Sequence, residues 1–181
     1  RALHGDLGDK AKGERTRFAF KTPLSLSMLQ VIRALVPFQN GPVNEAARKS
    51  DSDLSANARA IKSLSYALGA DLTGICETPR YAWYSHKEDG SEIVPYHRYS
   101  VAMLIDQGYD TMEGSSGDDW ISGSQSMRGY LRGAVIAGIM AEFLRSLGYP
   151  ARSQTNADSD VLHIPVILWA GLGELSRIGE L

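Results

Sequence analysis

Between Ser122 and Tyr149 the chain reads SGSQSMRGYLRGAVIAGIMAEFLRSLGY, an unbroken apolar-periodic stretch that predicts one long helix stopped at Gly148-Tyr149-Pro150. Steps of three or four from Tyr130 land on Gly133, Ala134, Ala137, Gly138 and Ala141, so a lone phenol heads a stripe of very small residues. The bulk falls elsewhere, at Leu131, Val135, Ile136, Ile139, Met140, Phe143, Leu144 and Leu147, which predicts an ordinary core face beside a shaved one. A helix that gives up side-chain volume forfeits roughly 25 cal/mol per Å² of apolar burial unless something fills the space. The filler is either a neighbouring protein element or a wide, flat ligand. On the first alternative Tyr130 is a buried ring whose hydroxyl finds a backbone partner.

Whatever fills that space, the chain has to build the rest of a core around it. At 181 residues it suits one domain, with a polar tail over residues 1–22 expected to pack on something outside this stretch and a core over 23–181. Nineteen basic against 21 acidic residues leave no electrostatic footprint for nucleic acid. No apolar run is long enough to span a bilayer, because Arg132, Glu142 and Arg145 interrupt the longest and Val161 to Ala170 is short. One cysteine, Cys76, excludes an internal disulfide and a Cys-rich zinc or iron–sulfur site made by this chain alone.

Along the core, Leu24 to Leu35 has helical spacing, and Asp53 can cap a helix from Leu54 to about Leu68 that stops at Gly69. Asp71 to Glu77 is β-rich, His97 to Asp106 reads as a central strand, and Ala151 to Thr155 as a short one. Tyr81, Trp83, Tyr84, His86 and Tyr96 crowd one loop, and Gln107 to Trp120 is an acidic connection. Helices interleaved with strands predict an α/β fold, an α+β sandwich with a mixed sheet flanked by helices.

Familiar catalytic patterns are missing from this framework. Gly171-Leu172-Gly173-Glu174 lacks the third glycine of a dinucleotide loop, and neither a phosphate-binding loop nor an H-E-x-x-H pair occurs. His4, His86, His97 and His163 are not at metal-ligand spacing and read as structural; no metal site is expected. Ser124 and Ser126 have no histidine nearby in sequence. Asn156, in a tight turn, either hydrogen-bonds a ligand amide or simply forms the turn.

The order GADLTGICE, a strand ending at Asp106, S-x-x-x-Y at the head of a helix, EFLRSLGYPAR, an asparagine turn and IPVxLxAGLGELSRIGEL resembles the corrinoid-binding core of reductive dehalogenases over about Asp53 to Leu181. Epoxyqueuosine reductases share the later motifs more loosely. Tyr130, in the place of the dehalogenases' active-site tyrosine, favours the first family. The resemblance implies a nitroreductase-like domain holding base-off cobalamin, an organohalide substrate of halogenated-aromatic type, and Tyr130 as proton donor. A phenol is a poor acid at neutral pH unless a neighbouring cation stabilises its phenolate, and in the family that cation follows the GLGE-x-x-R-x-G-x-L motif, beyond Leu181.

By the same resemblance, Asn156, Gly133 and Ala134 face the cofactor, and the backbone of Gly171, Leu172 and Gly173 runs along the corrin edge. Tyr81, Trp83, Tyr84 and Trp120 are candidates to line the substrate pocket, the alternative being that they cover the sheet. Two iron–sulfur clusters, fed by a ferredoxin, a flavodoxin or a fused reductase, belong to a segment outside this chain, which on this reading is a fragment inactive alone. A cytoplasmic location is the working expectation. The alternatives are an epoxyqueuosine reductase acting on tRNA and a non-catalytic corrinoid-binding module.

Overall fold

The computed structural model describes residues 22–47, 53–87, 89–115 and 121–177. The expected tail lies almost wholly outside these residues, as does Trp120. Helix α1 spans Pro23–Leu35, α2 Leu54–Ala67, α3 Tyr109–Glu113, α4 Ile121–Ser146 and α5 His163–Trp169, with short 3-10 turns at Val36–Phe38 and Arg80–Ala82. The start signals work as the side chains dictate. Thr22 Oγ1 accepts the Ser25 amide at 3.1 Å and Pro23 follows it, while Asp53 Oδ1 accepts the Ser55 amide at 3.1 Å. Helices α2, α4 and α5 end alike: the amides of Gly69, Gly148 and Gly171 bond the carbonyls of Tyr66, Arg145 and Leu168 at 3.0 Å, and the next residue's amide reaches back to Ser65, Leu144 or Ile167.

Two antiparallel strands, β1 (Leu72–Glu77) and β2 (Tyr99–Leu104), pair with Leu72 opposite Leu104 and Glu77 opposite Tyr99. The helix–strand class is the expected one. Among the described residues, however, the sheet is a two-stranded antiparallel ribbon, so β2 is an edge strand where a central one was expected. The residues 151–155 are not a strand either. Their amides bond outside any ladder, Ser153 to the Gln39 carbonyl at 3.2 Å and Thr155 to that of Asp158 at 3.1 Å. The connection after residue 106 contains the short helix α3.

Strand alternation sorts the core into layers. Val101, Met103 and the following Ile105 meet Ile136 and Met140 of α4, with Ile61, Leu64 and Leu68 of α2. Cys76 and Ala102, on the opposite face, pack against Val161 and Val166 with α5. Gly74 makes that approach possible: a Cβ there would stand 2.7 Å from the Ala170 carbonyl oxygen. Helix α1 covers the start of α4 through Ile32, Met127 and Ala134.

The bulky side of α4 is not the uniform core face its spacing suggests. Ile136 and Met140 are buried, whereas Val135, Ile139, Phe143 and Leu147 remain exposed, a stripe left over after α1, α2 and the sheet have taken their share. No helix among the described residues is long and apolar enough to cross a membrane.

Candidate functional site

A cavity of about 420 Å³ lies between α4, the segment 150–156 and α5. Consecutive β2 residues from Tyr99 to Met103 line it, which happens only along a strand's unpaired edge, where both faces and the backbone are accessible. Its floor on α4 is the shaved stripe: Tyr130, Gly133, Ala134, Ala137 and Ala141 all line it, joined by Met140 and Leu144. Gly138, expected in the same stripe, is not in the lining, and a Cβ there would meet nothing within 4 Å. The protein leaves this face open only in part: Gly133 and Ala137 are half-buried, whereas Ala134 packs with α1 and Ala141 is buried. A Cβ on Gly133 would come no nearer than 3.7 Å to Ile105.

Tyr130 is about half exposed at the head of the floor, and no described residue hydrogen-bonds its hydroxyl. Below it Ser126 donates to Gln107 Oε1 at 3.0 Å, and Gln125 donates to the Gln107 carbonyl, which seats the start of α4 on the segment that follows β2. At the far end of α4, Arg145 is 2% exposed and donates to the carbonyls of Phe38, Gln39 and Ala151 at 3.1, 3.1 and 2.9 Å while pairing with Glu142 at 2.6 Å. One buried guanidinium thus ties the floor to the wall that follows Pro150.

That wall is polar and has no regular structure, so side chains shape it. The buried Gln39 amide donates to Thr155 Oγ1 at 2.9 Å and to the Asp158 carbonyl at 3.0 Å. Thr155 Oγ1 in turn accepts the amides of Ala157 and Asp158, a hydroxyl-capped turn with Asn156 exposed at its tip and facing the cavity. Arg152 joins Asp158 and Asp160, each at 2.8 Å. Asp160, 1% exposed, also accepts the Tyr96 hydroxyl at 2.5 Å and has Lys87 at 3.4 Å. Burial, followed by the hydrogen bond to Asp160, pushes the Tyr96 phenol up to about 12.

The structure brings Tyr130, Gly133, Ala134, Asn156 and Trp83 to one cavity. It sets the other expected residues apart. Tyr81 is 64% exposed and meets Trp169 edge-on at 6.2 Å, and Tyr84 is exposed with its amide bonded to the Asp160 carbonyl; neither lines the cavity. Gly171, Leu172 and Gly173 are also outside the lining. Helix α5 faces the cavity through His163, Val166 and Ile167, then carries the following residues over β1, one strand away from the open edge. Gly171, with φ of 71°, is there to close α5, and Leu172 packs with the cluster around Cys76.

Sequence reasoning missed Arg152 and Gln154, and it set His97 and His163 aside as structural although both line the cavity. Desolvation lowers the pKa of both histidines, helped at His97 by the Arg152 cation. Their one legible signal was proximity to motif segments: His97 opens the β2 segment, and Arg152 follows directly on the helix stop.

No family model and no curated protein sequence matches the chain. Solved structures do. The catabolic reductive dehalogenase NpRdhA is 55% identical, with a TM-score of 0.84 over 98% of this chain and 26% of that one. Its complex with 3-bromo-4-hydroxybenzoic acid matches equally well, as does a reductive dehalogenase structure described as suggesting a mechanism for B12-dependent dehalogenation. The chain spans about a quarter of the length of these relatives. Identity at this level across nearly all of the chain makes it similar to a segment of these reductive dehalogenases that spans about a quarter of their length.

Proposed function

We propose that this chain forms part of the cofactor and substrate site of an enzyme that replaces the halogen of an organohalide, of halogenated-aromatic type, by hydrogen, with Tyr130 as the proton donor. The observation that carries this reading is the coincidence, in one cavity, of an open glycine- and alanine-lined floor with a phenol whose hydroxyl has no partner among the described residues. The floor suits a broad planar group, because side chains larger than methyl would stand where the ring lies. The β2 edge beside it offers unpaired backbone donors and acceptors to the amides on a corrin's rim. These residues therefore fit a base-off cobalamin, which when bound supplies a strongly reducing cobalt centre for carbon–halogen cleavage.

This chain's own residues then have distinct tasks. Gly133, Ala134, Ala137 and Ala141 leave room; Asn156, at the tip of its turn, offers an amide to cofactor or substrate; Trp83 presents a ring to the substrate. Tyr130 transfers its hydroxyl proton to the carbon that loses halide. Overall the organohalide takes up two electrons and one proton, giving the product with hydrogen in place of the halogen and a halide ion. The electrons arrive from two iron–sulfur clusters and an external donor such as a ferredoxin, a flavodoxin or a fused reductase, all supplied outside this segment. Gly171, Leu172 and Gly173 are kept out of the cofactor contact set, their task being to end α5 and cover β1.

The test is halide release by the full-length parent reconstituted with cobalamin under reducing conditions. Wild type is expected to turn over a brominated hydroxybenzoate. A parent that binds the corrinoid, shown by its visible spectrum, yet releases no halide from any organohalide offered would reject the reading.

A further inference from the structure

The cavity wall facing α4 has a second side. Trp83 and His97 line the main cavity and also a shallower hollow of about 500 Å³ whose rim carries Arg80 and Arg98. These two rings therefore form a partition with ligand-sized space on either side. Tyr96 braces it, meeting Trp83 edge-on at 4.8 Å and His97 at 4.7 Å, and its own hydroxyl is anchored to Asp160.

Charge bookkeeping around the hollow leaves one group over. Arg98 is paired with Glu77, Nη2 to Oε1 at 2.6 Å and Nε to the same oxygen at 2.7 Å, so that pair is neutral. Tyr96 keeps its proton, and desolvation with the Arg152 cation disfavours a charged His97. Lys87 and Arg152 are directed at Asp160, away from the rim. Arg80 is exposed, lines the hollow and pairs with no carboxylate among the described residues. One guanidinium without a described counter-charge thus stands beside three aromatic rings, a combination that attracts a flat anion by charge and holds it by stacking.

We propose that this outer hollow is the entrance site for an aromatic anion, a halogenated benzoate or phenolate, with Arg80 its steering cation and the Trp83 and His97 rings the partition that the substrate passes to reach Tyr130. The proposal rests on the dehalogenase reading for the fate of the substrate, while the hollow and its charge are independent of it.

The experiment compares Arg80→Glu and Arg80→Lys with wild type in the corrinoid-loaded full-length enzyme, using a brominated benzoate and the matching benzamide. Charge reversal is expected to lower kcat/KM for the benzoate by about tenfold at low ionic strength, with the deficit shrinking as salt is added. Arg80→Lys should retain most of the rate, and kcat at saturation and the benzamide should be unaffected. Equal losses for benzoate and benzamide, or no loss for either, overturn the proposal. Benzoate affinity, measured by calorimetry on the same proteins, separates the two readings. A parent that releases no halide but loses benzoate affinity on Arg80→Glu breaks the dehalogenase reading and leaves the entrance standing. Turnover with benzoate affinity unmoved by Arg80→Glu does the reverse.

Discussion

Tyr130 lines the cavity while Tyr96 stands behind its opposite wall, and on the proposed reading their surroundings suit them to opposite uses. Tyr130 projects from a regular helix over a floor of glycines and alanines, half exposed, with no described partner for its hydroxyl. Tyr96 sits behind a wall that has no regular structure, its ring wedged against Trp83 and His97 and its proton held by a buried aspartate at 2.5 Å. The two residues are similarly exposed, at 49% and 45%, so what distinguishes the proposed proton donor from a brace is a hydroxyl left uncommitted against one already bonded. The comparison separates reach from rigidity: the helix supplies position by backbone hydrogen bonds and leaves its side chain free, whereas the irregular wall spends its side chains on holding itself together.

Substituting each phenol is the strongest way to break that contrast. Tyr130→Phe should lower dehalogenation in the full-length enzyme by about 10²-fold or more, the range lost with a general acid, and leave the corrinoid spectrum unchanged. Tyr96→Phe should leave kcat within about threefold. Similar kcat losses for both would show that the two tyrosines are not divided as described.

The next largest effect falls where the two walls are tied together. Arg145→Met removes a buried guanidinium, leaving the partly buried carbonyls of Phe38 and Ala151 without this donor and that of Gln39 with the Ser153 amide alone, so urea denaturation should show a loss of about 1–3 kcal/mol. A change below about 1 kcal/mol would mean that water replaces the side chain there.

Filling the floor sharpens the reading of the shaved face. Ala137→Leu should cost less than about 1 kcal/mol in unfolding, since the space is open, but weaken corrinoid binding by about tenfold; overpacking a filled core would instead cost about 1–3 kcal/mol. Spectrophotometric titration with cobalamin beside denaturation of the same variant distinguishes the two.

The smallest effect is one of pH. The unfolded Tyr96 phenol ionises near 10 and the folded one at about 12. Between those values the unfolded chain gives up a proton that the folded chain keeps, so stability falls as pH rises through that window. Tyr96→Phe should flatten this part of the stability profile. An unchanged slope would show that burial and the Asp160 hydrogen bond do not hold the proton.

Much of the α4 wall was legible in the chain itself. The three-to-four spacing of Gly133, Ala134, Ala137 and Ala141 behind Tyr130 is a statement about one helix face, and helical geometry converts it into a surface without help from any other segment. The helix start at Asp53 and the stops at Gly69 and Gly148 were readable for the same reason, since caps are satisfied by residues a few positions away. Gly171 was legible as a bend but not as a helix stop that points away from the cavity, because the course of α5 over β1 depends on Gly74, nearly a hundred positions earlier.

The opposite wall illustrates what only tertiary structure decides. Asp160 meets Tyr96, Lys87 and Arg152, and Gln39 reaches Thr155; apart from the short hop to Arg152, these partners lie far along the chain and follow no period. Sequence by itself determined which helix face was empty, because backbone hydrogen bonding makes that pattern local. Whether the emptiness became a cavity, and which charges and rings surround it, was decided by the open edge of β2 and by buried polar groups that had to find distant partners once water was excluded.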